Sequence, residues 1–176
     1  MKNNKKNPLT LSSGANNAVI ALSENEVGKL FNKDTRSDIG SESEKMKFAN
    51  SINGLVVKFI RIDYFEELKS DILIMERIYP LDFRCFEIEK RELWFEVFES
   101  ELKVLHTSGF AHRDIKRPEG LTGEVYDNIL LTDKGIRLID VAISGLKKVV
   151  GDKLFYKYVE IELNELYDFK EYFLNR

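Results

Sequence analysis

The chain has 176 residues, 43% of them apolar and 32% charged, with a formal net charge of −3 at pH 7. That composition belongs to one ordinary globular domain or two small lobes with a real core, and it excludes a disordered chain and nucleic-acid binding through bulk charge. The single Cys85 excludes an intrachain disulfide framework, and no Cys/His cluster has zinc-ligand spacing. No apolar run approaches membrane-spanning length, so a reducing, cytoplasmic setting without membrane or nucleic-acid partners is the expectation.

The basic start, Met1 to Asn7, leads into no signal-peptide core and reads as a frayed tail. From Pro8 to about Phe31 the pattern predicts short strands at Leu9 to Leu11, Ala18 to Leu22 and Val27 to Phe31, with turns over Ser12 to Asn17 and Ser23 to Asn25. Asp34 to Ser43 is polar and predicts a loop. A helix follows, because Met46, Ala49 and Ile52 recur about one turn apart before Asn53-Gly54 ends it. Leu55 to Ile62 and Ile72 to Glu76 read as strands. Between Glu87 and His106 the residues Leu93, Trp94, Val97, Phe98, Leu102 and Leu105 recur at helical spacing, and Ser108-Gly109 closes the run.

Further on, Ile129 to Leu131 and Ile136 to Ile139 flank Thr132-Asp133-Lys134-Gly135, which predicts a hairpin. Such a hairpin brings Asn128 and Asp140 to one end, and two hard oxygen ligands side by side suit Mg²⁺. After Asp140 the sequence predicts a short basic loop and an amphipathic helix from about Phe155 to the end. Ile161, Leu163, Leu166, Phe169 and Phe173 of that helix are expected to complete the core, the alternative being that they meet a partner. The predicted class is α+β.

The order His112-Arg113-Asp114-Ile115-Lys116, then Asp127-Asn128, then Leu138-Ile139-Asp140 resembles the core of the protein kinases, whose pattern runs H-R-D-x-K, Asn, and the Asp of D-F-G. The resemblance implies a two-lobed kinase-like fold, with residues 8–78 as a strand-rich N-lobe and 79–176 as a truncated helical C-lobe. It implies an ATP- and Mg²⁺-dependent phosphotransferase in which Asp114 accepts or orients the proton of the attacking hydroxyl and Lys116 steadies the γ-phosphate. Asn128 and Asp140 become the metal ligands. Lys116, two residues after the Asp, looks like the serine/threonine type and points to a protein hydroxyl as substrate. A pseudokinase scaffold and a small-molecule or lipopolysaccharide-sugar kinase are the alternative readings.

The same resemblance extends upstream. Ser12 to Val19 aligns with G-x-G-x-x-G-x-V, keeping only Gly14, and this places Gly14 and Val19 over the nucleotide. Val27-Gly28-Lys29-Leu30 falls where V-A-I-K lies, so Lys29 is the candidate cation for the α- and β-phosphates. Its ion-pair partner is expected from the next helix, with Glu42 the first choice and Glu44 the second. Met75 would be the gatekeeper, and the backbone of Glu76 and Ile78 would hydrogen-bond the purine edge. His112 reads as a packing and orienting residue, and His106 as a helix-end residue explained by the dipole. Replacing Lys29 or Asp140 is expected to abolish transfer with the fold intact.

Departures from the family pattern carry expectations of their own. Asp140-Val141-Ala142 replaces D-F-G, and there is no A-P-E, since the prolines are Pro8, Pro80 and Pro118. Roughly eight or nine extra residues lie between Lys116 and Asn128, a surface insertion that costs little if its ends stay fixed. Ser144 is the only hydroxyl residue just after Asp140, which argues against activation by loop phosphorylation. Family members commonly need on the order of 250 residues. The shorter length is similar to minimal kinases among bacterial secreted effectors, which implies a possible activating or scaffolding protein partner and export into another cell.

Overall fold

Alternating and continuous apolar runs in the first part of the chain close into one antiparallel sheet. A computed structural model describes residues 10–13, 17–31, 38–67, 69–118 and 124–176. Its five-stranded sheet comprises β1 (Thr10–Ser13), β2 (Asn17–Ala21), β3 (Glu26–Phe31), β4 (Phe59–Phe65) and β5 (Ser70–Glu76), ordered β1-β2-β3-β5-β4. Ile72 to Met75 are all buried, the pattern of a strand covered on both faces, whereas the edge strand β4 exposes Arg61 to Tyr64 and so blunts its free edge with charge. Met1 to Asn7 and Gly14 lie outside the described residues.

Helix α1 (Ile39–Asn50) begins inside the stretch predicted as loop. Asp38 caps it, its carboxylate accepting the Ser41 N–H at 2.8 Å, and this cap overrides the weak helical propensity of Gly40 and the serines. The helix turns Glu42, Ser43, Met46 and Ala49 inward. A second correction follows it. Leu55 to Val57, predicted to open a strand, cross instead to Leu138, with Leu138 N–H donating to Leu55 O and Val57 N–H to Leu138 O, both at 2.8 Å. The strand proper starts only at Phe59.

The rest of the chain is mainly helical. A 3₁₀ turn (Phe83–Cys85) leads to α2 (Ile88–Ser108), β6 (Phe110–Ala111), the hairpin β7 (Ile129–Thr132) and β8 (Gly135–Leu138), then β9 (Gly145–Leu146), α3 (Lys147–Val150) and α4 (Asp152–Asn175). Gly109 ends α2 in the left-handed region at φ 97°. The segment after Asp140, predicted as a basic loop, forms β9 and α3, and β9 pairs with β6.

Helix α2 buries Phe95, Phe98, Leu102 and Leu105 but leaves Leu93 and Val97 exposed. Helix α4 buries Phe155, Leu166, Phe169 and Phe173, while Ile161 and Leu163 stay exposed rather than completing the core. Phe169 is the hub, its ring 5.6 Å from Phe98 and 5.1 Å from Tyr126. One apolar cluster runs from Val27, Leu73 and Met75 through Leu55 to Val57 and Leu138 to these aromatic rings. The architecture is α+β, and among the described residues no helix is long and apolar enough to cross a membrane.

Candidate active site

Central strand β3 carries Lys29 inward between Val27 and Leu30. Its ammonium, 3% exposed, donates to Glu42 Oε1 at 2.7 Å and to Asp140 Oδ1 at 2.8 Å. Glu42 is buried on α1, while Glu44 is exposed, so the structure pairs Lys29 with the first-choice acid. Burial works against the Lys29 charge, but Asp140 and Glu42 outweigh it and its pKa is raised. Burial raises the Glu42 pKa against the pull of Lys29, whereas Lys29 overcomes burial at Asp140 and lowers it. A buried ammonium shared by two carboxylates stays charged. Val19, half-buried on β2, stands opposite Lys29 in the sheet register.

The β7–β8 hairpin does what the sequence predicts of it. Ile139 N–H donates to Asn128 O at 3.0 Å, setting the two hairpin ends side by side. Asn128 Nδ2 then donates to Asp114 Oδ2 at 2.9 Å and to Asp114 O at 3.0 Å. Burial, helped by Asp140, raises the Asp114 pKa, with His112 opposing. His112 is fully buried, and its Nε2 lies 2.9 Å from Ile139 O, one residue before Asp140. Ser144, also buried, donates to His112 O at 3.0 Å, so its hydroxyl is committed inside the fold.

Behind this loop stands a group that sequence reasoning missed. Glu162 of α4, 0% exposed, lies 2.7 Å from His106 Nε2 through Oε2 and accepts the Arg113 N–H at 2.9 Å through Oε1. His106 is therefore part of a buried polar bridge and not simply a helix-end residue. Arg113 and Asp140 both have positive φ, 69° and 57°, unusual for side-chain-bearing residues and held only where the surroundings impose it. The Arg113 guanidinium lies 3.9 Å from the Tyr158 ring and donates to Ile143 O at 2.8 Å. Lys116 pairs with Asp168 of α4 at 2.6 Å.

No protein-family model matches the chain, and no curated protein shows significant similarity to it.

Two oxygens fit the Mg²⁺ expectation. Asp140 Oδ1 takes Lys29 and the Ala142 N–H at 3.3 Å, and Asn128 binds Asp114 through its nitrogen. Asp140 Oδ2 and Asn128 Oδ1 have no hydrogen-bond partner among the described residues. No cluster of three His, Cys, Asp or Glu suited to a metal exists among the described residues, so this donor set fits an ion completed by phosphate oxygens rather than an all-protein cage.

Met75 is buried at the end of β5. The Glu76 N–H is committed to Lys58 O at 2.9 Å, while Ile78, just beyond β5, has no backbone partner among the described residues. The Glu76 side chain pairs with Arg137. The insertion after Lys116 is closed at its base, where Arg117 N–H donates to Val125 O at 2.8 Å and Arg117 pairs with Asp127. Fixed ends are the condition under which Asn128 keeps its place.

Glu165, one turn beyond Glu162, gives the site a pH dependence. Burial, then Glu162 and Asp114, push its carboxyl up to about 7, against the Lys116 N–H that it accepts. An acid with a raised folded pKa stabilises the fold fully below its unfolded value and loses that contribution as pH rises through the folded one. Urea stability is therefore expected to fall by about 1–2 kcal/mol between pH 5 and 8, allowing for the half-exposed position. Glu165→Gln should flatten that part of the profile, and parallel wild-type and variant curves would refute the assignment.

Proposed function

We propose that the chain is a two-lobed, protein-kinase-like phosphotransferase that binds Mg·ATP and transfers the γ-phosphate to a Ser or Thr hydroxyl of a protein. The observation that carries this reading is the buried Lys29 ammonium within 2.8 Å of both Glu42 and Asp140, facing a loop in which Asn128 holds Asp114. Five groups drawn from distant parts of the sequence converge in an arrangement suited to phosphoryl transfer.

Each group has a part in the reading. Lys29 exchanges Asp140 for the α- and β-phosphates, while Glu42 keeps the ammonium aimed. Asp114 orients the acceptor hydroxyl and takes its proton; burial makes it a stronger base than an ordinary aspartate. Bound between Asn128, Asp140 and phosphate oxygens, Mg²⁺ would neutralise charge and hold the phosphates for in-line attack. Lys116 leaves Asp168, half-exposed at the rim, for the more highly charged γ-phosphate. The Glu76 carbonyl and the Ile78 backbone receive the purine below Met75. Arg113, satisfied by Tyr158 and Ile143 O, needs no phosphorylated loop, and a protein partner of the kind that serves minimal bacterial kinases would act elsewhere.

The test is labelled ATP offered with Mg²⁺ to the purified chain and its Asp114→Asn variant, over a panel of proteins and lipopolysaccharide sugars. Transfer to protein Ser or Thr, lost in the variant, is expected. Transfer to sugars alone would move the substrate class, Mg·ATP binding without transfer would make the chain a scaffold, and absence of binding would end the nucleotide reading.

A further inference from the structure

The D-V-A triplet has lost the aromatic ring and the glycine that its counterpart would bring, yet Asp140 is held at φ 57°. Something must hold it there, because a non-glycine residue adopts the left-handed region at a cost. Val141 is 1% exposed and belongs to the apolar core, but a valine side chain fixes no backbone dihedral of its neighbour. Polar contacts on both sides do: Ile139 is held by Asn128 and His112, the Ser144 N–H donates to Val141 O at 3.1 Å, and two more bear on Ala142. The Ala142 N–H donates to Asp140 Oδ1 at 3.3 Å, and the Ala142 carbonyl accepts from Lys45 Nζ at 2.5 Å. Lys45 sits one turn after Glu42, so α1 grips the segment twice, through Glu42 and Lys29 to the Asp140 carboxylate and through Lys45 to the backbone two residues on.

The surroundings of Lys45 make this a specific arrangement. The side chain is half-buried, and burial lowers its pKa; Glu42 and Asp38 attract the ammonium, whereas Arg113 and Lys29 repel it. A lysine drawn partly out of water between two other cations would extend into solvent unless a partner repaid the desolvation. The Ala142 carbonyl is its hydrogen-bonded partner, beside the attraction of Glu42 and Asp38. When Lys29 turns from Asp140 to phosphate, the Lys45 hydrogen bond still ties α1 to the segment bearing the proposed metal ligand.

We infer that Lys45 is a positioning residue that ties α1 to the Ala142 carbonyl and so holds Asp140 in its metal-binding orientation, replacing the aromatic and glycine that the triplet lacks. This rests on the proposed function for its consequence, though not for the contact itself.

The experiment compares wild type, Lys45→Met and Lys45→Arg in two measurements. Backbone amide exchange of residues 140–144 in the nucleotide-free protein should be about tenfold faster in Lys45→Met and near wild type in Lys45→Arg. Affinity for ATP with Mg²⁺ should weaken about tenfold in Lys45→Met and recover in Lys45→Arg, while ATP affinity in EDTA stays equal in all three. Unchanged exchange in Lys45→Met would overturn the anchor. Faster exchange with an unchanged Mg²⁺-dependent affinity would overturn its link to Asp140. If wild type binds no Mg·ATP, the kinase reading fails and the exchange measurement alone decides whether Lys45 anchors the segment.

Discussion

Lys29→Met is expected to lower phosphate transfer by at least about 10²–10³-fold, since it removes the buried charge that the proposed function assigns to the phosphates. It should also destabilise the protein, contrary to the expectation of an intact fold that the sequence invites. Glu42 is 1% exposed, and without the ammonium its carboxylate is left buried and uncompensated. Breaking one partner of such a pair costs about 3–5 kcal/mol, less whatever Glu42 recovers by taking up a proton. The two effects are separable. In Lys29→Met with Glu42→Leu, urea denaturation should show most of the stability restored, because a buried ion pair replaced by apolar groups of similar volume is often neutral. Transfer should stay lost. Recovery of activity along with stability would show that Lys29 serves the fold alone.

Glu162→Ala should be the other severe change. It strands the buried His106 imidazole and the Arg113 N–H and leaves a cavity under α4, a combined cost of about 3–5 kcal/mol. Arg113 is held at φ 69° next to Asp114, so loosening its N–H also loosens the proposed base. Transfer should fall even at temperatures where the variant remains folded by circular dichroism. Glu162→Gln keeps an acceptor for Arg113 and should cost much less. Because Glu162 helps to raise Glu165, removing its charge should also move the pH midpoint of stability below about 7. A midpoint that stays put would show that Glu162 does not govern its neighbour.

The residues now gathered around Lys29 were legible because each belongs to a short, ordered pattern. Glu42 could be preferred over Glu44 since it shares a face with Met46 and Ala49, and the structure seats it there. Lys45, Tyr158 and Glu162 were not legible, because their partners lie 97, 45 and 49 residues away in Ala142, Arg113 and Arg113 respectively, and no local period encodes such a pairing. A trace of Glu162 was present all the same. It falls in the buried row Phe155, Glu162, Leu166, Phe169 and Phe173, where an acid at an apolar position signals a buried partner. The start of α1 was hidden by its Ser, Gly and Glu content, with only Asp38 and Ser41 marking the cap. The strands β6 and β9, at two residues each, are too short to show any alternation.

The clamp at the base of the insertion has an evolutionary meaning. Because Arg117 holds Val125 and Asp127 before the chain reaches Asn128, length changes between the clamped ends are not transmitted to the β7–β8 hairpin. The stretch between those residues can therefore change in length or composition without moving the hairpin.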